Sequence, residues 1–239
     1  MLAHRGLALE APENTLLSFA AAIGLGADFV ETDVHASCDG VAVVSHDSEL
    51  ERVARRRGVV ADFTMAQLRA VDLGFDQGFC SLAEALDVFP ETRFNIDVKS
   101  ADAIEPTARA VREARATERV LITSFSERRR RETARLLPGV ATSASAPVFA
   151  AALLAARLGN APLLRRVLRG FDALQVPVRA LGIAVTTERM IRRFHSAGVE
   201  VHIWTINDPL EMQRLLDLGV DGIVTDRADL ALDIVAQRG

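Results

Sequence analysis

The sequence predicts an α/β protein with the fold of a (β/α)8 barrel, formed as one domain over residues 1–239. Short β-type runs alternate with longer helical stretches, which is typical of βαβ units and therefore of a parallel sheet. One run is expected to return as a hairpin, so eight strands remain for a parallel set, as such a barrel requires. An open, doubly wound sheet is the alternative, but no Gly-x-Gly-x-x-Gly motif follows the first run.

The β-type runs are short, rich in apolar and β-branched residues, and bounded by turn residues. They lie at residues 1–6, 29–36, 41–46, 94–99, 120–125, 140–145, 173–177, 200–207 and 222–226. The turn at Asp39-Gly40 predicts that the third run pairs as a hairpin with the second. The other eight runs are the predicted barrel strands.

Helical stretches fill most of the intervals between these runs. They are predicted at residues 14–24, 126–137, 149–169, 187–197, 209–218 and 228–236. Gly26, Gly198 and Gly219 follow three of them at the position where a left-handed residue commonly ends a helix. An apolar strand then begins within two or three residues, as expected for a barrel.

Residues 48–90 fit the alternation poorly and are predicted to form a small excursion after the second strand. Helices are expected within it at residues 64–71 and 81–89. The segment is too short for a core of its own, so it is not assigned as a second domain. Arg52 and the run at residues 55–57 are interpreted as a solvated face.

The composition excludes several classes of protein. A hydrophobic content of 49% allows a large core, and no apolar run approaches the roughly 18 residues of a membrane span. A net charge of −4 disfavours nucleic acid as a partner. Cys38 and Cys80 are too few for a disulfide framework. We therefore expect a cytoplasmic protein without stable membrane insertion, and the sequence leaves its oligomeric state open.

Polar residues lie where the predicted strands end, which is where active sites of this fold are found. Glu31, Asp33 and His35 alternate along the second strand and therefore face the same side. Asp97 and Lys99, the only lysine of the chain, have the same spacing. The candidate site residues at the strand ends are His4, Arg5, Glu31, Asp33, His46, Asp97, Lys99 and Trp204. His35 shares the face of the two carboxylates but is interpreted as pointing toward solvent past the strand end.

The carboxylates Glu31, Asp33 and Asp97 predict a metal site inside the barrel mouth. An unpaired buried charge costs several kcal/mol or more, whereas Mg²⁺ and Ca²⁺ prefer carboxylate and water oxygens. A structural ion pair with Arg5 and Lys99, without metal, is the alternative.

Two histidines, His4 and His46, reach the same rim from different elements and can exchange protons near neutral pH. Arg5 and Lys99 are donors suited to a phosphoryl oxygen. Trp204 is either a packing residue or a wall against the carbon skeleton of a substrate. The pattern indicates phosphoryl chemistry on a small anionic substrate.

These residues belong to motifs that occur in a fixed order along the chain. The motifs are His4-Arg5-Gly6, Pro12-Glu13-Asn14-Thr15, Glu31-Thr32-Asp33, Ser45-His46-Asp47, Asn95-Ile96-Asp97-Val98-Lys99, His202-Ile203-Trp204 and Thr225-Asp226. In this order the chain resembles the glycerophosphodiester phosphodiesterase family from residue 4 to about residue 230.

The resemblance implies a TIM barrel that hydrolyses a glycerophosphodiester to glycerol 3-phosphate and an alcohol with one divalent cation, Mg²⁺ or Ca²⁺. By position it implies the acid/base pair His4 and His46, the metal ligands Glu31 and Asp33, and the phosphate-binding residues Arg5 and Lys99. The attacking group is either water or a neighbouring hydroxyl of the substrate itself.

One position departs from the family pattern. The family usually has a glutamate two residues before the lysine, whereas this chain has Asp97, whose carboxylate lies about 1.5 Å closer to the backbone. A cation is then expected to shift toward this strand or to be reached through a bridging water. Asp97 remains the third predicted ligand.

Two rival functions stay open. One is hydrolysis of lysophospholipids or other phosphodiesters, and the other is a barrel that binds phosphodiesters without hydrolysing them. Outside the catalytic set, Asn14 and Thr15 are interpreted as the cap of the first helix, and Asp226 as a loop carboxylate.

Overall fold

The computed structural model describes residues 1–238, and its strands are numbered in chain order. They are β1 (Leu2–His4), β2 (Phe29–Ala36), β3 (Ala42–Val44), β4 (Arg93–Val98), β5 (Val120–Thr123), β6 (Ala141–Thr142), β7 (Ala173–Val176), β8 (Arg179–Ala180), β9 (Ile183–Ala184), β10 (Glu200–Ile203) and β11 (Gly222–Thr225).

The α-helices lie between these strands and after the last one. They are α1 (Leu16–Gly24), α2 (Glu51–Ala54), α3 (Met65–Arg69), α4 (Leu82–Val88), α5 (Ile104–Glu113), α6 (Glu127–Leu136), α7 (Ala146–Leu158), α8 (Ala161–Val167), α9 (Glu188–His195), α10 (Pro209–Asp217) and α11 (Ala228–Ala236). No helix within residues 1–238 combines the length and apolarity needed to cross a membrane.

Eight parallel strands form a barrel in the order β1-β2-β4-β5-β6-β7-β10-β11, and β11 pairs back onto β1. The seam between β6 and β7 is narrow, because it consists of a parallel bridge between Ser143 and Ala173. Beside this bridge the amide of Ala144 donates to Ala173 O at 2.9 Å. The predicted (β/α)8 barrel is confirmed.

The second and third strands form the predicted hairpin. Val34 faces Val44 and Ala36 faces Ala42 in an antiparallel register, and Gly40 has a φ of 73° in the turn. Glycine suits this position because residues with a Cβ rarely adopt a left-handed conformation. The hairpin places the segment after β3 at the carboxyl end of the barrel.

Three features of the fold differ from the sequence-based prediction. The stretch 149–169 was expected to be one helix, but it comprises α7 and α8, which are separated at Gly159 with a φ of 74°. The short antiparallel pair β8–β9 and the helix α5 were not predicted. All three differences lie outside the polar strand ends on which the site prediction depends.

The excursion at residues 48–90 holds α2, α3 and α4. Leu50, Leu68 and Phe79 of the excursion are buried together in a small hydrophobic cluster. The cluster also contains Val43 of β3, so the excursion packs on the hairpin. This packing fixes α2 beside the carboxyl end of the barrel.

Candidate active site

The register of three neighbouring strands sets the positions of the carboxylates. Glu31 of β2 pairs with His4 of β1 and with Asn95 of β4, and Asp33 pairs with Asp97. Alternate residues of parallel barrel strands point inward in layers, so these side chains meet at the carboxyl end of the barrel.

These side chains line a pocket of about 200 Å³ at the mouth of the barrel. The pocket brings together all eight residues predicted for catalysis, substrate binding and metal binding, namely His4, Arg5, Glu31, Asp33, His46, Asp97, Lys99 and Trp204. His35 stands outside it, with its Nε2 at 3.2 Å from the backbone oxygen of His46.

His4 is oriented by residues that follow two other barrel strands. Its Nδ1 lies 2.6 Å from Asp226 Oδ1, and its Nε2 lies 3.8 Å from Glu31 Oε2. Asn207 donates from Nδ2 to Asp226 Oδ2 at 2.7 Å and accepts the Asp226 amide at 2.9 Å. Hydrogen bonding to His4 is the main cause of the lowered pKa of Asp226.

His46 is oriented from the excursion and the loop before α1. Its Nδ1 lies 2.6 Å from Asp47 Oδ1, and the other oxygen of Asp47 accepts from Arg52 Nε. Arg52 forms a bidentate pair with Glu13 at 2.7 and 2.9 Å, and Arg5 donates to Glu13 at 2.9 Å. A series of charged contacts through Asp47, Arg52 and Glu13, which we call the ion chain, therefore links His46 to Arg5.

Lys99 lies between two of the three carboxylates. Its Nζ is 2.8 Å from Asp33 Oδ1 and 2.7 Å from Asp97 Oδ2. Asn14 donates to Asp33 Oδ2 at 3.1 Å, and Arg5 Nε lies 3.4 Å from the same oxygen. Both oxygens of Asp33 thus have cationic or amide neighbours.

Burial and these charges shift the carboxyl groups in different directions. Burial raises the pKa of Glu31 well above its usual value, and the negative charges of Asp33 and Asp97 raise it further. Burial also raises the pKa of Asp97 despite its contact with Lys99. Burial opposes ionisation of Asp33 as well, but Lys99 and Arg5 outweigh it and lower the Asp33 pKa.

The carboxylates present oxygen atoms that a divalent cation could bind. Glu31 Oε2 and Asp97 Oδ1 are buried without a hydrogen-bond partner, which is costly for an ionised oxygen and suits a hard cation. Within residues 1–238, no three His, Cys, Asp or Glu side chains are already grouped around one cation position. The donor chemistry fits, with Glu31 and Asp97 offering the free oxygens.

Several residues at this site were not predicted to act there. Asn14 and Thr15 were both interpreted as the cap of α1. Thr15 is its N-cap. The side chain of Asn14, however, donates to Asp33 and accepts from Thr32 at 2.8 Å. Asp226 contacts His4, so it is more than a loop carboxylate. Arg52 is exposed, as expected, and it also forms ion pairs with Glu13 and Asp47. The sequence motifs around Glu13-Asn14 and Thr225-Asp226 were the available signals.

The fold and the pocket together define a class of protein: a (β/α)8-barrel enzyme with two carboxylate-bound histidines beside a cluster of buried acids and cationic donors. The sequence matches the glycerophosphoryl diester phosphodiesterase family over residues 4–230. The chain therefore belongs to this family.

Individual relatives agree with this membership. The chain is 43% identical over 240 residues to "Probable glycerophosphodiester phosphodiesterase 2" of Mycobacterium tuberculosis, covering 100% of this chain and 91% of that protein. The crystal structure of a glycerophosphodiester phosphodiesterase from Agrobacterium tumefaciens superposes with a TM-score of 0.78 at 24% identity, covering 98% of each chain.

A phosphodiesterase from Oleispira antarctica, solved in complex with the product sn-glycerol-3-phosphate, has a TM-score of 0.82 at 22% identity. The match covers 98% of this chain and 96% of that one. At these identities the two solved structures support the barrel fold.

Proposed function

We propose that the chain hydrolyses glycerophosphodiesters to glycerol 3-phosphate and an alcohol, with one divalent cation, Mg²⁺ or Ca²⁺. Family membership supports the substrate class. The observation that carries the catalytic part is that His4 and His46 line one pocket, each with Nδ1 bound to a carboxylate. With Nδ1 so engaged, each imidazole presents Nε2 for proton transfer.

In this proposal the two imidazoles divide the proton transfers. One takes a proton from the attacking hydroxyl as its oxygen bonds to phosphorus, and the other protonates the alcohol oxygen as its bond to phosphorus breaks. Positioned proton transfer of this kind typically contributes about 10²–10⁴-fold to the rate. Arg5 and Lys99 bind the phosphoryl oxygens through charge-assisted hydrogen bonds.

Glu31, Asp33 and Asp97 would hold the cation, and the unpartnered oxygens of Glu31 and Asp97 support this assignment. When bound, the cation neutralises charge on the phosphoryl group and polarises the phosphorus centre. Trp204 would form one wall of the pocket, against the carbon skeleton of the substrate.

The proposal is tested by measuring release of glycerol 3-phosphate from glycerophosphocholine with EDTA, Mg²⁺ or Ca²⁺. We expect release with a divalent cation and loss of release with EDTA. Absence of release under every condition, from folded protein, would contradict the proposed substrate. The Asp97→Glu variant then separates a wrong substrate from a weak cation site, because only the second is rescued by the longer side chain.

A further inference from the structure

A second cavity of about 200 Å³ adjoins the active-site pocket, and we name it the apolar cleft. Thr123, Phe125, Gln175 and Trp204 line both cavities, so the cleft continues the pocket without a break. Its other walls come from the segments after β6 and β7. These residues include Ala144, Ala146, Phe149 and Pro177.

The cleft offers little to a charged or strongly polar group. None of the described residues that line it carries a charge. Ser124 lines it with a hydroxyl, but Ser124 Oγ already donates to Val98 O at 2.7 Å and accepts from Arg129 Nε at 3.0 Å. Thr123 is hydrogen-bonded to Ser143, and Gln175 to Asn95 and His202, so an apolar group would enter without taking partners from these polar groups.

Another cavity that adjoins the active-site pocket has the reverse character. A polar cavity shares His46 and Lys99 with the pocket and is also lined by Asp47, Glu49 and Arg52. Carboxylates and a guanidinium can accept from and donate to the hydroxyls of a glycerol group. The polar cavity and the apolar cleft share no lining residue, so a phosphodiester held at Lys99 has a separate cavity available for each of its two arms.

We propose that the apolar cleft binds the alcohol arm of the substrate and selects compact, uncharged, apolar alcohols. This inference rests on the proposed hydrolysis of glycerophosphodiesters and assigns the glycerol arm to the polar cavity. The Lys99 ammonium lies 5.8 Å from the centre of the Phe125 ring, so a cationic arm beside that ring would be repelled by a like charge. The cavity is smaller than the 300–1,000 Å³ typical of sites for larger ligands, which favours a compact group.

The first experiment compares two glycerol 3-phosphate diesters of the same shape. One carries choline and the other 3,3-dimethylbutanol, in which a neutral carbon replaces the quaternary nitrogen. We expect kcat/KM for the dimethylbutyl ester to be higher by about tenfold or more, in the range that small apolar groups discriminate. Equal values, or preference for choline, overturn the inference.

The second experiment fills the cleft. Ala146→Leu adds volume at the exposed first residue of α7, and Ala151→Leu makes the same change at an exposed position of α7 away from the cleft. Ala146→Leu should raise KM for the dimethylbutyl ester about tenfold and alter the methyl ester, whose arm is too short for the cleft, by less than about twofold. Ala151→Leu should change neither, and both variants should keep the melting temperature.

The remaining outcomes separate the two proposals. If Ala146→Leu slows both esters equally, the cleft does not bind the alcohol arm. If diesters with a long acyl chain on glycerol are preferred and Ala146→Leu affects those, the cleft binds the other arm and the inference is wrong. If wild-type protein hydrolyses none of these esters, the proposed function itself fails.

Discussion

The two histidines of the pocket are supported in contrasting ways. His4 is held by the barrel itself, through Asp226 after β11 and Asn207 after β10. His46 is held through Asp47 by an ion chain that crosses from the excursion to the loop before α1. The carboxylate of Asp226, beside His4, is hydrogen-bonded to the neutral amide of Asn207. The carboxylate of Asp47, beside His46, instead forms an ion pair with Arg52. The two histidine–carboxylate contacts therefore have the same length, 2.6 Å, but the two carboxylates differ in how far a neighbouring cation offsets their charge.

The strongest prediction removes each histidine in turn. His4→Ala and His46→Ala should each lower kcat by about 10²–10⁴-fold, because each deletes one proton-transfer group. Neither side chain belongs to the apolar core, so the melting temperature should move by no more than about 2–4 °C. Turnover near the wild-type level in either variant would remove that histidine from the mechanism.

The next prediction compares the two carboxylates. Asp226→Asn should lower kcat by about 10²-fold, since the positive charge on protonated His4 loses a counter-charge whose other oxygen is bound by the neutral amide of Asn207. Asp47→Asn should lower it by about tenfold, because Arg52 already offsets part of the Asp47 charge. Steady-state kinetics with glycerophosphocholine distinguishes the two, and an equal or reversed order would break the comparison.

A third prediction concerns the ion chain. Arg52→Met and Glu13→Gln should each lower kcat/KM about tenfold, because they loosen Asp47 and Arg5 together. Since both act through one contact, the double variant should lose little more than either single variant. Arg57→Met, a nearby exposed arginine, is the matched control and should leave kcat/KM unchanged. Full additivity would show that the chain does not act as a unit.

The smallest expected effect links pH to cation binding. Glu31 has a pKa well above its ordinary value of 4.5, so above pH 4.5 the folded state retains a proton that the unfolded state loses. Stability of the cation-free protein should therefore fall as pH rises from about 4.5 toward the folded-state pKa. A divalent cation competes with that proton and should raise the melting temperature more at pH 8 than at pH 5.

Thermal denaturation with and without Mg²⁺ or Ca²⁺ measures this effect. At a concentration one hundred times the Kd, binding adds about 2.7 kcal/mol to the free energy of unfolding. Glu31→Gln should lose most of the shift at pH 8. A shift of the same size at both pH values, or one that survives in Glu31→Gln, would argue against Glu31 as a ligand.

Local patterns predicted much of the barrel and the residues that line its pocket. The alternation of Glu31 and Asp33, and of Asp97 and Lys99, sufficed to place these side chains on one face of each strand. The parallel register then brought Asp33 beside Asp97. The split between α7 and α8 was missed because Gly159 lies within an otherwise helical pattern.

The supports of the histidines could not be predicted in the same way. His4 and Asp226 are 222 positions apart, and Arg52 and Glu13 are 39 apart. Their contacts depend on barrel closure and on how the excursion packs against β3. An arginine near other arginines looks like a surface residue until the position of its carboxylate partner is known.

The narrow seam between β6 and β7 has a consequence for local unfolding. β2 and β4 share six register pairs, whereas across the seam the Ser143–Ala173 bridge and the amides of Ala144 and Asp172 hold the barrel together. Local unfolding of the barrel should begin where the fewest hydrogen bonds join neighbouring strands. These amides should therefore exchange with solvent deuterium fastest among the hydrogen-bonded barrel amides. Ala144 follows β6, Gln175 belongs to β7, and both line the apolar cleft. A ligand bound there would contact both sides of the seam and should slow that exchange.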